Sequence, residues 1–261
     1  ANLSTTITAV NDAPVRTAGT VANLTILEDS GFTSLGFGSV AYSPGGGADE
    51  SGQTLSYTVT AVPSGTIGNV YLADGTTLVT TSSYTLTQIR GMQFKTTADG
   101  NGVAGFQFNV TDSGGTGNGG LDSIGEFIFI TVTAVNDAPV RTAGTPAAIN
   151  VNEDSANVTA ITLGMGSLTY GNGGGSDESA QTRTYTITVI PAHMTLWKAD
   201  GITQVTSSTV VTLAELQGLK YKTVANANGS GNLTWTVVDN GGTANGGMNT
   251  LTETLSVTMN A

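Results

Sequence analysis

Apolar and polar residues alternate in short runs along this chain, and few stretches carry a helical spacing. A period of two sends successive side chains to opposite faces, so each run predicts a half-buried β-strand. Residues 21–27 alternate in this way, and residues 32–42 predict a second strand, broken at Gly36 and Gly38. Leu55, Tyr57, Val59 and Ala61 alternate with Ser and Thr as a third. Residues 70–73 and 77–79 flank Asp74-Gly75-Thr76, a hairpin-type turn signal. Met92 and Phe94 mark a further strand and Phe106, Phe108 and Val110 another; Ile128, Ile130, Val132 and Ala134 form the inward face of the last. Seven or so short strands at a spacing of 8–15 residues predict an all-β antiparallel sandwich. Residues 86–91 and 213–218 are the only helix-like pieces, single turns ending at Gly91 and Gly218, with Leu86 and Ile89 plugging one end of the sandwich.

The whole pattern occurs twice. Residues 9–15 and 134–140 are the same heptapeptide, Ala-Val-Asn-Asp-Ala-Pro-Val, 125 residues apart. Glu28-Asp29 answers Glu153-Asp154, the Gly-rich Asp49-Glu50 loop answers Asp177-Glu178, Asp74 answers Asp200, and Asp112 answers Asp239. The offset drifts only between 125 and 128, the length of a domain and far beyond a small solenoid repeat. The chain therefore reads as two domains, residues 12–136 and 137–261. Residues 1–11 precede them as the last strand of an earlier repeat, since residues 3–10 match 128–135. An excerpt from a longer array is the expectation.

Composition narrows the function. With 36 Gly, few charges and abundant Thr and Asn, the chain suits strands and turns. A net charge of −11 argues against nucleic acid or an anionic membrane surface, both of which need basic patches, and no apolar run is long enough to span a bilayer. There is no Cys to form a disulfide. The acids favour cationic ligands.

Strand parity places those acids. If the chain enters a domain at one end and leaves at the other, the first and last strands run the same way. Glu28-Asp29 then falls at the exit end, whereas the Asp49-Glu50 loop and Asp112 fall at the entry end. A junction between the copies would collect Glu28 and Asp29 from one domain, Asn136 and Asp137 from the linker, and Asp177, Glu178 and Asp239 from the next. Carboxylates so crowded repel unless a cation sits among them. Pro139 fixes its own φ and holds Ala138 extended, giving a stiff linker. The candidate ligands are all hard oxygens, which suits Ca²⁺; zinc or copper would want His or Cys, and the chain has one His and no Cys.

The Asn-Asp-x-Pro linker, the Glu-Asp after the first strand, the Asp-Glu before the Leu-Ser-Tyr-Thr strand and the Asp-x-Gly-Gly turn resemble bacterial cadherin-like repeats of large repetitive surface adhesins, over nearly the whole chain. The resemblance implies two cadherin-like (Ig-like) sandwiches joined end to end. It carries over Glu28, Asn136, Asp137, Asp177 and Asp239 as calcium ligands. Glu50, Glu178 and Asp29 are either direct ligands or solvated neighbours and caps. Asn11, Asp12, Asp49 and Asp112 match at the entry end of the first repeat, where the site is half-built, as is the one around Glu153 and Asp154. No Asp-Arg-Glu motif occurs and the Asp-x-Asp loop is Asp177-Glu178, which implies fewer ions than the usual three.

The bland readings are turns and core. Asp74 and Asp200 precede Gly as turn residues, and Asp99 and Asp122 sit in loops facing water. His193 has no nucleophile pattern beside it, so no enzyme is expected. Trp235 is core by alternation; Trp197, matching Tyr71, is a possible sugar-stacking platform. Phe127 and Phe129 fall on the outward phase of the last strand. The expected function is a Ca²⁺-rigidified, extracellular spacer segment of a bacterial adhesin, monomeric, with neighbouring repeats as partners. Carbohydrate binding, with a cell-surface glycan as partner, and homophilic adhesion to a like module are the alternatives.

Overall fold

A computed structural model describes residue 3 and residues 5–261, which divide into two compact units, Ala1–Ala134 and Val135–Ala261. The first unit runs β1 (Val15–Ala18), β2 (Leu24–Leu27), β3 (Thr33–Ser34), β4 (Ala41–Ser43), β5 (Leu55–Ala61), β6 (Gly68–Tyr71), β7 (Ser83–Tyr84), α1 (Leu86–Arg90), β8 (Gln93–Thr96), β9 (Gly102–Asp112) and β10 (Ser123–Thr133). A five-stranded sheet has the order β2-β10-β9-β5-β7, a three-stranded sheet the order β3-β8-β6, and β1 pairs with β4. All pairings are antiparallel except β2 with β10, which run side by side in the same direction from Leu24↔Ile130 to Leu27↔Thr133.

The alternation in the sequence becomes the core. Phe106, Phe108 and Val110 of β9 and Ile128 and Ile130 of β10 are fully buried, against Phe94 of β8, Val70 of β6 and Phe37 from a connecting loop. Each such side chain contributes about 1.5–3 kcal/mol on leaving water. Phe37 lies 5.9 and 5.5 Å from the rings of Phe106 and Phe108. Ile89 of α1 is fully buried and Leu86 packs beside it, with Thr85 and Gln88 closing a capping box at the helix start.

The second unit repeats the plan with β11 (Val140–Ala143), β12 (Ile149–Asn152), β13 (Ile161–Thr162), β14 (Thr169–Gly171), β15 (Arg183–Val189), β16 (Met194–Trp197), β17 (Gln204–Val205), β18 (Val210–Val211), α2 (Leu213–Gln217), β19 (Lys220–Thr223), β20 (Gly229–Asp239) and β21 (Thr250–Asn260). Its sheets are β12-β21-β20-β15-β18, β13-β19-β16-β17 and β11-β14, with β12 parallel to β21. Trp235 is fully buried and donates its indole N–H to the Tyr170 hydroxyl at 3.0 Å.

Four details depart from the pattern reading. Residues 32–42 are two short strands in different sheets, because the chain turns at Gly36 (φ 83°) and drops Leu35, Phe37 and Val40 into the core between them. Residues 77–79 contribute only an isolated bridge, Tyr71↔Leu78. Ala134 lies exposed beyond β10. Leu3 and residues 5–10 form no strand, and Leu3 and Ile7 are 92% and 95% exposed; Ala1, Asn2 and Ser4 fall outside the described residues. A strand with an apolar face needs a sheet to cover it, and the first unit's own β10 already fills that place.

Strands β1 and β11, which the pattern reading left unassigned, follow the linker proline and are tied down by charge. Arg16 Nε lies 3.3 Å from Glu126 Oε1, and Arg141 Nε 3.5 Å from Glu253 Oε1. The Tyr42 hydroxyl also donates to Glu126, at 3.1 Å, and burial together with that carboxylate pushes the Tyr42 phenol well above its ordinary pKa.

Candidate metal centre

The entry end of each unit is built around one asparagine. In the second unit the Asn136 carbonyl accepts from Met248 N at 2.7 Å. Its Nδ2 donates to Asp239 Oδ1 at 3.0 Å and to the Met248 carbonyl at 2.5 Å, and its Oδ1 accepts from Gln181 Nε2 at 2.6 Å. The next residue, Asp137, donates its backbone N–H to Glu178 Oε1 at 2.5 Å, while Glu178 Oε2 accepts from Gly174 N at 2.7 Å. The first unit has the same set. Asn11 Nδ2 donates to Asp112 Oδ1 (2.9 Å) and to the Leu121 carbonyl (2.6 Å), Gln53 Nε2 donates to Asn11 Oδ1 (2.6 Å), and Asp12 N donates to Glu50 Oε1 (2.6 Å).

The Gly-rich loops follow from this close approach. A Cβ at Gly45 or Gly173 would run into the carbonyl oxygen of Ala13 or Ala138, so only glycine lets the linker lie against the loop. The Asp-Glu pair then divides its roles. Glu50 and Glu178 are buried at 3% and 1% exposure and reach the linker, whereas Asp49 and Asp177 are exposed. The resemblance implies Asp177 as a ligand; its neighbour Glu178 accepts from the linker at Asp137 N. Within the Ser176–Glu178 turn, one step separates the exposed Asp177 from the buried Glu178.

These ends are rich in acceptors without donors. Asp112 Oδ2, Asp239 Oδ2, Glu50 Oε2, Gln53 Oε1 and Gln181 Oε1 are buried and have no hydrogen-bond partner among the described residues. All are oxygens that accept only, on side chains already bonded to the linker. A buried carboxylate oxygen left this way is costly, and a divalent cation satisfies several at once. In the first unit a cavity of about 190 Å³ opens here, lined by Asn11, Asp49, Glu50, Gln53 and Gly114 among others. The second unit differs by Arg183, which donates to Asn172 in the Gly-rich loop and stands where the first has Leu55.

The exit ends are laid out differently. Glu28 is 5% exposed; its N–H donates to the Thr133 carbonyl at 2.9 Å and its Oε2 accepts from Asn101 Nδ2 at 3.2 Å. Asp29 is exposed in the left-handed region (φ 56°) and its Oδ1 accepts from Asp99 N at 3.1 Å. Glu153 and Asp154 repeat this: Glu153 N donates to the Asn260 carbonyl (2.7 Å), Asn228 Nδ2 donates to Glu153 Oε2 (3.3 Å), and Asn226 N donates to Asp154 Oδ1 (3.1 Å). Thus Asp29 and Asp154 cap a neighbouring loop through one carboxylate oxygen. Within the first unit, parity is right: Glu28 and Asp112 sit at opposite ends of β10.

Gln53 and Gln181 were missed as site residues, although each stands three positions after the Asp-Glu glutamate in both copies. Elsewhere, Lys222 Nζ lies 4.3 Å from the Trp197 ring and covers one face of it. His193 is buried in the slot that Ile67 fills in the first unit, and no Ser or Cys is bonded to it among the described residues. Among the described residues, no helix is long and apolar enough to cross a membrane.

Neither a protein-family model nor a curated protein matches the chain. Among solved structures it is similar to three repeats (EC22-24) of mouse cadherin-23, with 12% identity and a TM-score of 0.41, covering 96% of this chain and 67% of that one. It is similar also to Drosophila N-cadherin EC1-4 (15% identity, TM-score 0.38, 96% and 50%) and to mouse protocadherin-24 EC1-3 (13%, 0.36, 94% and 70%). The chain thus spans about two thirds of the first of these structures and half of the second. These three are structures of cadherins or a protocadherin, and the chain is similar also to a titin fragment, A168169, with 9% identity and a TM-score of 0.30.

Proposed function

We propose that this chain is a calcium-binding structural module, a spacer segment of an extracellular, surface-exposed bacterial adhesin whose successive units are stiffened by Ca²⁺ at their junction. The observation that carries the reading is the donor-free, buried carboxylate oxygen of Asp112 and Asp239, held beside the linker asparagine in both units. Asp137, Glu178 and Asp239 would bind the ion from the entry end of the second unit, with Glu28 and Asp29 approaching from the exit end of the first. The covalent chain supports the pairing. Thr133, bonded to Glu28, and Asn136 are three residues apart, a reach of about 10 Å at full extension. Asn11, Asp12, Asp49, Glu50 and Asp112 would form the matching half of a junction with a preceding repeat. The ion would neutralise clustered carboxylates; Asn136, itself held by Gln181, donates to Asp239 and fixes its position.

Asp239→Asn tests this without dismantling the fold. An asparagine can still accept from Asn136 Nδ2 and Gly241 N through its oxygen, but it turns an amide NH₂ toward the ion. Calorimetric titration of the chelated protein with Ca²⁺ is expected to show saturable binding, weakened at least about tenfold in the variant. At about a hundredfold excess over Kd, calcium should raise apparent stability by about 2–3 kcal/mol. Absence of binding in the native chain overturns the reading.

A further inference from the structure

Six Asn-Gly dipeptides occur in the chain, at Asn101, Asn118, Asn172, Asn228, Asn240 and Asn245. In such a pair the glycine nitrogen can attack the asparagine Cγ, because the glycine has no Cβ to obstruct the approach. The N–Cγ bond forms, the Cγ–Nδ2 bond breaks, and Nδ2 leaves as ammonia with the amide proton. Water then opens the resulting succinimide. Attack at one carbonyl gives aspartate, and at the other isoaspartate, with an extra methylene in the main chain.

Local sequence offers the same chemistry six times; the fold separates the six. Four asparagine side chains are held. Asn101 and Asn228 donate to Glu28 and Glu153, Asn172 donates to the Glu178 carbonyl and accepts from Arg183, and Asn240 Oδ1 accepts from Thr182 N at 2.8 Å. A Cβ built on Gly173 or Gly241 would run into Ala138 or Asn136, and one on Gly102 or Gly229 would touch Ile67 or His193, although Gly102, Gly229 and Gly241 are themselves exposed. Asn118 and Asn245 differ on both counts. Each is exposed, in the left-handed region (φ 55° and 57°) at the centre of a 3₁₀ turn, and neither side chain has a hydrogen bond among the described residues. Nothing lies within 4 Å of a Cβ built on Gly119 or Gly246.

We propose that Asn118 and Asn245, one in each unit, are sites of spontaneous intramolecular deamidation in the folded protein. Both turns lead into the linker clamp, since Leu121 N donates to the Asn11 carbonyl at 2.9 Å and Met248 N to the Asn136 carbonyl at 2.7 Å. Conversion adds a carboxylate beside an already acidic end. Isoaspartate also lengthens the main chain inside turns closed by Gly120 N to Gly117 O (3.0 Å) and Gly247 N to Ala244 O (2.9 Å).

The test is peptide mapping by mass spectrometry after long incubation of the whole chain in mildly alkaline buffer, folded and in denaturant. In the folded protein Asn118 and Asn245 are expected to convert about tenfold faster than the other four, the factor that one ordinary hydrogen bond supplies. In denaturant all six should convert at similar rates. Asn118→Gln and Asn245→Gln should remove the fast phase, because glutamine must close a larger ring. The proposal is overturned if any of the other four leads in the folded chain, if all six convert alike there, or if conversion occurs only in denaturant.

Discussion

Asn136 uses every polar atom of its side chain and its carbonyl on partners inside its own unit, so at this residue linker geometry and ligand geometry are one problem. The motif implies a ligand at this position, and in the fold the same side chain braces Asp239. The motif shows that an asparagine is needed; it cannot show which atoms a neighbour already takes, and that is why Gln53 and Gln181 went unnoticed. The turn aspartates were legible, since Asp-Gly fixes both position and role. Asp200 accepts from the Thr203 hydroxyl at 2.7 Å and from the backbone N–H groups of Thr203 and Ile202, and these bonds, the Thr203 hydroxyl first, hold its carboxyl down at about 2 against an ordinary 3.8. A depressed folded-state pKa gives stability that is present above the unfolded value and lost as pH falls through about 2. Denaturant midpoints of Asp200→Asn are therefore expected to fall less steeply than those of the native chain between pH 3.8 and about 2.

At the level of elements, strand positions along β5, β9, β10, β15, β20 and β21 were legible because burial alternates over most of their length, as in β9, whose last seven residues alternate buried and half-buried; the alternation breaks where β15 shifts register between Ile187 and Val189. Residues 32–42 were not, because their apolar side chains fill the core from a bent loop, where period carries no information. The Gly-rich loop was legible as a loop, but not as the seat on which the linker rests. That role makes a prediction. Gly173→Ala forces a Cβ onto the Ala138 carbonyl and the Asp137 side chain, and should cost the second unit about 1–3 kcal/mol by overpacking while lowering calcium affinity. Gly166→Ala, in open space, is the control and should be close to neutral in both measurements. Equal effects of the two in urea denaturation would mean that the loop does not support the linker.

For the whole molecule the duplication matters most: two units of one plan, each with acids at both ends, on a chain of net charge −11. If calcium stiffens the junction, small-angle scattering should give a larger and sharper maximum dimension with Ca²⁺ than with chelator, and Asp239→Asn should need more calcium to reach it. An unchanged profile would leave ion binding without a mechanical role. The parallel neighbours β2 and β10, and β12 and β21, carry a consequence of their own. When the two termini of a unit are drawn apart, the tug reaches one strand at its beginning and the adjacent strand at its finish. The rungs between them are then sheared together rather than unzipped singly, so each unit should yield abruptly, at high force, instead of fraying.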